Sequence, residues 1–318
     1  MIQLQTHVIE GQQLGPHLLI TGGVHGDEWE PMVAIRRLMR LPELADICGR
    51  LTLVPVVNEP AFVRGNRVAD DGLDLARTCP GKPDGSITER TAYALTQLIR
   101  LADYYIDLHT GGTALTVFPL VGYVLHPRAD VLEKQRQMAR AFGLNVIWGT
   151  DWRLEGRSLS VARDANVPAI YCEYLGGGGC SPAGVEAYVA GCLSVMKVVG
   201  TLRVPSPEVE SLLANDGTPT SSAGAPVPTT VEDPRPGSGH MQRCYPAPLA
   251  GCFETAVELG QTVEVGQPLG WVVDPLGRDR REVLSTQAGM VLVLRTFPSV
   301  KQGDSLAVIL EQPSDGKR

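Results

Sequence analysis

A mixed, mostly parallel α/β sheet with helices on both faces, followed by a small all-β barrel-sandwich-like unit, is the fold predicted for this chain of 318 residues. Three observations predict it. Short apolar runs alternate with stretches of helical spacing as far as Val199, a stretch rich in Pro, Ser and Thr then interrupts the pattern, and glycine-punctuated strands fill the remainder. The expected boundaries are therefore an α/β domain over 1–203, a linker or surface excursion over 204–243, and a small β domain over 244–318.

The opening residues 1–5 read directly as a strand, without a charged-then-apolar leader. Apolar runs at 18–21, 51–56, 104–108, 121–125, 146–148 and 169–173 read as short buried strands. Pro31 suits the first turn of a helix over 28–40, because a proline there gives up an N–H that has no intrahelical partner. Ser86 and Glu89 form a capping-box pattern ahead of Tyr93, Leu95, Leu98 and Ile99, and Pro182 opens a helix running toward Val199. Strand and helix in alternation bury a sheet on both faces. From 205 to about 243 the composition is too poor in large apolar side chains to build a core. Beyond it, runs at 251–260, 262–265, 268–273, 282–284, 290–294 and 305–310 are strands separated by glycine turns.

Chemistry concentrates at three predicted strand ends. His25 lies in Gly22-Gly23-Val24-His25-Gly26-Asp27-Glu28, directly after the first buried run, with Glu28 three positions on. His109 ends the run 104–108 and precedes Thr110-Gly111-Gly112. Ligands at the carboxyl ends of strands are where open α/β sheets bind small molecules. Two histidines and one carboxylate make a catalytic zinc set, since three protein ligands leave the fourth tetrahedral position open, whereas structural zinc closes its shell. Zinc in such a site lowers the pKa of water from 15.7 to about 7 and polarises a carbonyl, so amide or ester hydrolysis is the natural use. One Zn²⁺ per chain, held by His25, Glu28 and His109, is the expectation. Glu173 ends the run 169–173 and is the candidate general base and acid. Asp107, two residues before His109 on the same strand face, and Asp27 are candidates to hold a zinc histidine by its other ring nitrogen or, equally, to cap a turn. His7, His17, His126 and His240 lack a carboxylate at ligand spacing within a glycine-rich turn and are read as ordinary packing or surface residues.

Composition fits a cytoplasmic enzyme with a small-molecule substrate. A net charge of −7 and no basic patch argue against nucleic acid, and no run of about 18 uninterrupted apolar residues argues for a membrane span. Seven cysteines, an odd number without paired spacing, argue against a disulfide framework or a zinc ribbon. A homo-oligomer is compatible with all of this.

These motifs resemble the succinylglutamate desuccinylase and aspartoacylase family, a branch of the zinc carboxypeptidase-like hydrolases. Gly-Gly-Val-His-Gly-Asp-Glu, the Asn58-Glu59-Pro60 turn, an arginine-containing loop, Asp-Leu-His-Thr-Gly-Gly and a glutamate after a third strand occur in the family's order over about 17–200. The resemblance implies that His25, Glu28 and His109 bind zinc, that Glu173 moves the proton, and that an arginine after Asn58 polarises the scissile carbonyl. Arg67 is the choice and Arg64 the runner-up. Family members carry Asp-Leu-Asn-Arg, whose Asn-Arg pair grips the substrate carboxylate; here Asp74-Leu75-Ala76-Arg77 keeps Arg77 but has alanine in place of the amide. The implied activity is deacylation of a small N-acyl amino acid or related N-acyl amine, at a C–N bond other than a peptide bond, with a carboxylate differently placed or absent. A peptide-cleaving metallocarboxypeptidase and an inactive zinc- and ligand-binding homologue are the alternatives. The C-terminal hairpins 259–277 and 289–310 resemble the biotinyl- and lipoyl-carrier fold, but no lysine lies between Cys244 and Val300 to carry either group.

Overall fold

The computed structural model describes residues 2–41, 44, 47–202, 228–239 and 245–311. Three parallel strands form the middle of the sheet: β2 (Gln13–Thr21), β4 (Tyr104–His109) and β7 (Ala169–Gly176). β3 (Cys48–Val54) extends them in parallel beside β2, and β1 (His7–Glu10) closes that edge antiparallel to β3. The first strand thus begins at His7 rather than at the first residue. On the other side β5 (Leu115–Val124) runs antiparallel to β7, then pairs in parallel with β6 (Val146–Thr150). The sheet is mixed, as its sequence pattern predicts.

Helices cover both faces. α1 (Trp29–Leu38), α4 (Ala129–Phe142) and α6 (Pro182–Val199) pack together on one side, over Leu18, Ile20, Ile106, Leu108 and Ile170. α3 (Ile87–Leu101) and α5 (Ser158–Asp164) cover the other, over Leu19, Val54 and Tyr105. Successive residues of β2 therefore feed opposite cores, the period-two signature of a strand buried on both faces. α3 starts where expected: Ser86 Oγ accepts the Glu89 N–H while Glu89 reaches back to the Ser86 N–H, an arrangement worth about 1 kcal/mol. α6 is long and apolar enough to cross a membrane by length and composition, yet its Val185, Tyr188, Cys192 and Met196 belong to the core against α1 and α4.

Two features depart from the sequence reading of the second half. The interval read as a linker contributes β8 (Thr229–Glu232), parallel to β6, with Val231 buried. Glu232 is clamped there by Arg136 of α4 through two 2.8 Å bonds, and Tyr123 donates to it at 2.7 Å. The C-terminal β unit has its own core around Phe253, Val263, Leu269, Val272, Val291 and Leu306. It is also hydrogen-bonded into the α/β sheet: Val293, Leu294 and Arg295 of β13 (Gly289–Arg295) pair with Val117, Thr116 and Leu115 of β5. β13 in turn pairs with β10 (Thr262–Val263) and β15 (Ala307–Leu310). A second sheet is built from β9 (Gly251–Thr255), β11 (Pro268–Val273), β12 (Arg280–Leu284) and β14 (Ser299–Val300).

Candidate metal centre and active site

The carboxyl ends of β2, β4 and β7 are adjacent, so whatever follows each strand meets the others. β4 ends on His109, whose cross-strand partner on β7 is Glu173. β2 ends on Thr21, and the chain turns through 22–28 to start α1 with Glu28 at its N-cap. That turn is held from below: Val57 and Asn58 donate backbone N–H groups to Gly22 and Gly23, and Asn58 Nδ2 reaches the Val24 carbonyl at 3.3 Å. Asn58 also caps α2 (Glu59–Arg64) through the Ala61 N–H, so one side chain ties that helix to the His25 turn. Gly26 allows the approach, since a Cβ there would lie 2.1 Å from the Ala61 carbonyl carbon.

His25, Glu28 and His109 converge. One ligand atom from each lies within 4.8 Å of the other two, and all three side chains are buried. Nδ1 of His25 faces Glu28 Oε1 at 2.6 Å, and Nδ1 of His109 faces Glu28 Oε2 at 3.1 Å. Each ring turns its other nitrogen to a second carboxylate. His25 Nε2 is 3.1 Å from Asp74 Oδ1, and His109 Nε2 is 3.2 Å from Asp107 Oδ2. An Nε2–H donated outward leaves the Nδ1 lone pair pointing to the shared centre, the orientation a metal ligand needs. Asp107 is completely buried and is itself fixed, by Thr21 Oγ1 at 2.8 Å and by Ser158 Oγ.

Charge at the site is arranged for a cation. Burial alone would raise the Glu28 and Asp107 carboxyls, but the neighbouring histidines outweigh it and hold both below the ordinary range. Burial likewise opposes the His109 imidazolium, and the facing Asp107 and Glu28 still drive its pKa well upward. Glu173 behaves oppositely. Burial and the nearby Glu28 charge push its carboxyl up to about 8, and Glu173 Oε2 is buried with no hydrogen-bond partner among the described residues. A buried His-Glu-His donor set, ringed by carboxylates and with an orphaned acceptor beside it, fits a divalent cation with a water nearby.

The cavity over this centre is lined by Arg67, Ala76, Arg77, Arg157 and Glu173, with Val117, Leu159 and Val293 among its apolar walls. Arg67 donates to Asp74 Oδ2 at 3.1 Å and stands 3.8 Å from Glu28 Oε1. Arg64, the runner-up, is not brought in: it ends α2 on the exposed surface and pairs with Asp70. Asp27 does not reach a histidine either, but accepts the Thr113 N–H at 2.8 Å and so ties the His25 turn to the turn after His109. Asp74 takes the place expected of Asp27. Its motif was legible, but its pairing with a histidine 49 positions earlier has no local signal. Arg157 is a further cavity residue to which the sequence assigns no role. Burial, reinforced by the charge of Arg77, lowers its pKa to about 10, and its Nε has no partner among the described residues.

A family model for the succinylglutamate desuccinylase/aspartoacylase catalytic domain matches residues 14–199. The chain belongs to this family. N-alpha-acetyl-L-2,4-diaminobutyric acid deacetylase of Halomonas elongata is 31% identical over 306 residues, covering 93% of this chain and 82% of that protein. A succinylglutamate desuccinylase/aspartoacylase from Rhodobacter sphaeroides superposes with a TM-score of 0.82 at 27% identity, covering 98% of this chain and 89% of that one. The product-bound ectoine utilization protein EutE (DoeB) from Ruegeria pomeroyi gives a TM-score of 0.80 at 25% identity, over 96% and 87% of the two chains. Both coverages extend past residue 199, so the C-terminal β unit is part of the shared fold.

Proposed function

We propose that the protein is a zinc-dependent deacylase that hydrolyses the amide bond of a small N-acyl amino acid. The observation that carries the reading is the meeting of His25, Glu28, His109 and Glu173 in one cavity, drawn from three adjacent strand ends. Relatedness to a deacetylase of an N-acetylated amino acid supports the substrate class. Zinc held by His25, Glu28 and His109 would supply Lewis acidity and lower the pKa of water.

The chain's own residues do the rest. Glu173, which lines the cavity opposite His109 on the neighbouring strand, is placed to take a proton from the attacking water and return it to the leaving nitrogen. Arg67, the loop arginine that lines the cavity, donates to the carbonyl oxygen as negative charge develops there. Asp74 and Asp107 hold the two imidazoles. Where relatives pair an asparagine with an arginine, Ala76 offers no donor, and Arg157 on the same cavity wall supplies a second guanidinium near Arg77. The substrate carboxylate accordingly sits between Arg77 and Arg157, displaced from Ala76. Beyond Glu28, Asp107 and Glu173 no acidic residue lines the cavity among the described residues, which favours a neutral or short amino-acid side chain over a cationic one.

Metal analysis joined to a hydrolysis screen tests this. N-acetyl, N-succinyl and N-carbamoyl amino acids, including Nα-acetyl-2,4-diaminobutyrate, are compared with their primary amides, before and after chelation and in Glu173→Gln. The expected result is one zinc per chain, turnover of an N-acyl acid abolished by chelation, and a loss of about 10²–10⁴-fold in Glu173→Gln at unchanged metal content. Full turnover in the chelated protein or in that variant overturns the mechanism.

A further inference from the structure

The cavity wall that carries Arg157 is held by a segment whose composition marked it as a linker. Gly239 lines the cavity, and its carbonyl accepts a hydrogen bond from Arg157 Nη2 at 3.3 Å. Gly239 sits at φ +86°, and a Cβ on it would press within 3.0 Å of the Thr150 side chain, so the turn lies directly against the end of β6. The fastening is Asp151, the residue after β6, which is buried to 2% exposure. Its Oδ2 accepts the Gly237 N–H at 2.7 Å, and its own N–H donates to Ser238 Oγ at 2.7 Å. Ser238 Oγ passes the bond on to the Asp233 carbonyl at 2.7 Å. Asp151 Oδ1 accepts from Arg153 Nε at 2.7 Å, and Arg153 Nη2 donates to the Pro234 carbonyl at 2.9 Å. One carboxylate thus organises the 233–239 turn from inside.

We infer that Asp151 is a positioning residue for the Arg157 guanidinium, acting through the 233–239 turn and the Gly239 carbonyl. Arg77 and Arg157 share this cavity with Arg67, and a planar cation meets a carboxylate with full effect only when its plane is fixed in advance. The Gly239 carbonyl supplies part of that fixing through its hydrogen bond from Nη2. Asp151 itself does not line the cavity. Its loss therefore weakens recognition of the carboxylate without touching the metal ligands or Glu173. The role of Arg157 rests on the proposed deacylase reading; the fixing of its side chain does not.

The test separates the two. Asp151→Asn and Ser238→Ala are made in the full-length protein and compared with wild type in two ways. The first is KM and kcat on an N-acyl amino acid and its primary amide. The second is the rate at which phenylglyoxal modifies Arg157, followed by peptide mass spectrometry on protein without substrate. Asp151→Asn is expected to raise KM for the acid about tenfold, the worth of one charge-assisted hydrogen bond, with kcat within about twofold. The preference for acid over amide falls by a similar factor, and Arg157 is modified several times faster. Ser238→Ala, which keeps the carboxylate and removes the hydroxyl bridge, moves both readouts in the same direction by less, and it decides the matter if Asp151→Asn does not fold. Equal losses on acid and amide, or wild-type modification of Arg157 in a folded variant, overturn the inference. If wild type hydrolyses no N-acyl amino acid the deacylase reading fails, and the modification rates alone decide whether Asp151 fixes Arg157.

Discussion

Removing the Asp107 carboxylate tests whether the metal centre is built as its geometry indicates. Asp107 is fully buried and accepts from Thr21 Oγ1, Ser158 Oγ and, at 3.2 Å, His109 Nε2. In Asp107→Ala, Thr21 keeps a partner in the Tyr105 hydroxyl at 2.8 Å, but Ser158 Oγ and His109 Nε2 lose the acceptor they share. Ser158 Oγ keeps the Tyr105 hydroxyl as a neighbour, so the one unpaired buried donor, His109 Nε2, gives a destabilisation of roughly 1–3 kcal/mol. The imidazole is also freed to turn or to change tautomer. Loss of such an outer partner typically lowers metal affinity 10–100-fold, or about 1.4–2.7 kcal/mol. Asp107→Asn keeps one oxygen and falls between wild type and alanine on both scales. Urea unfolding of chelated protein reads the first quantity, and competition for zinc with a chromophoric chelator reads the second. A folded Asp107→Ala protein that held zinc as tightly as wild type would refute the assignment of His109 as a ligand oriented through its outer nitrogen.

Two further predictions concern charge and stability. Glu173, driven up to about 8 by burial and then by Glu28, prefers its proton in the folded chain. A raised carboxyl pKa contributes stability that is fully present below the ordinary carboxylate range and is lost as pH rises through the folded value. Chelated wild type should therefore weaken between about pH 5 and pH 8, while chelated Glu173→Gln should show a shallower slope in urea titrations across that range. Glu232 is the reverse case: the Arg136 guanidinium holds its carboxyl below the ordinary range. That contribution is present above the ordinary carboxylate range and is lost as pH falls through the lowered value. Glu232→Gln should cost about 1 kcal/mol at neutral pH, the worth of a charge-assisted pair discounted for partial exposure, and the gap to wild type should close in acid. A gap independent of pH would assign the effect to packing of β8 instead.

Elements that announce themselves locally were legible in the sequence. α1 and α6 open on prolines near their first turns, α3 opens on a capping box, and each of the three parallel strands contains a short apolar run. α4 and α5 were missed for a common reason: neither Arg128 nor Arg157 is an N-cap residue type, and α5 has only seven residues in which to show a period. His25, Glu28, His109 and Glu173 were legible because each lies at or just beyond a strand end, where the fold class itself says ligands gather. Asp107 followed from its place on the same strand face as His109. Asp74 and Arg157 did not follow, because their partners are joined to them only by the packing of the 58–77 and 150–157 loops onto the strand ends.

Of the stretch 204–243, residues 204–227 and 240–243 lie outside the described residues, and 228–239 departs from the linker reading for a different reason. Composition measures whether a segment can bury a core of its own, and 228–239 cannot. It does not measure whether the rest of the chain supplies the missing partners. β8 forms because β6 offers an open parallel edge and because Arg136 and Tyr123 wait on α4 and β5 for Glu232. The 233–239 turn holds its shape because Asp151 accepts from it and donates to it. A segment whose order is borrowed in this way costs the rest of the protein little to reshape by substitution. Since Gly239 faces the substrate cavity, changes in 233–239 are a route by which substrate preference can alter while the metal ligands and Glu173 stay fixed.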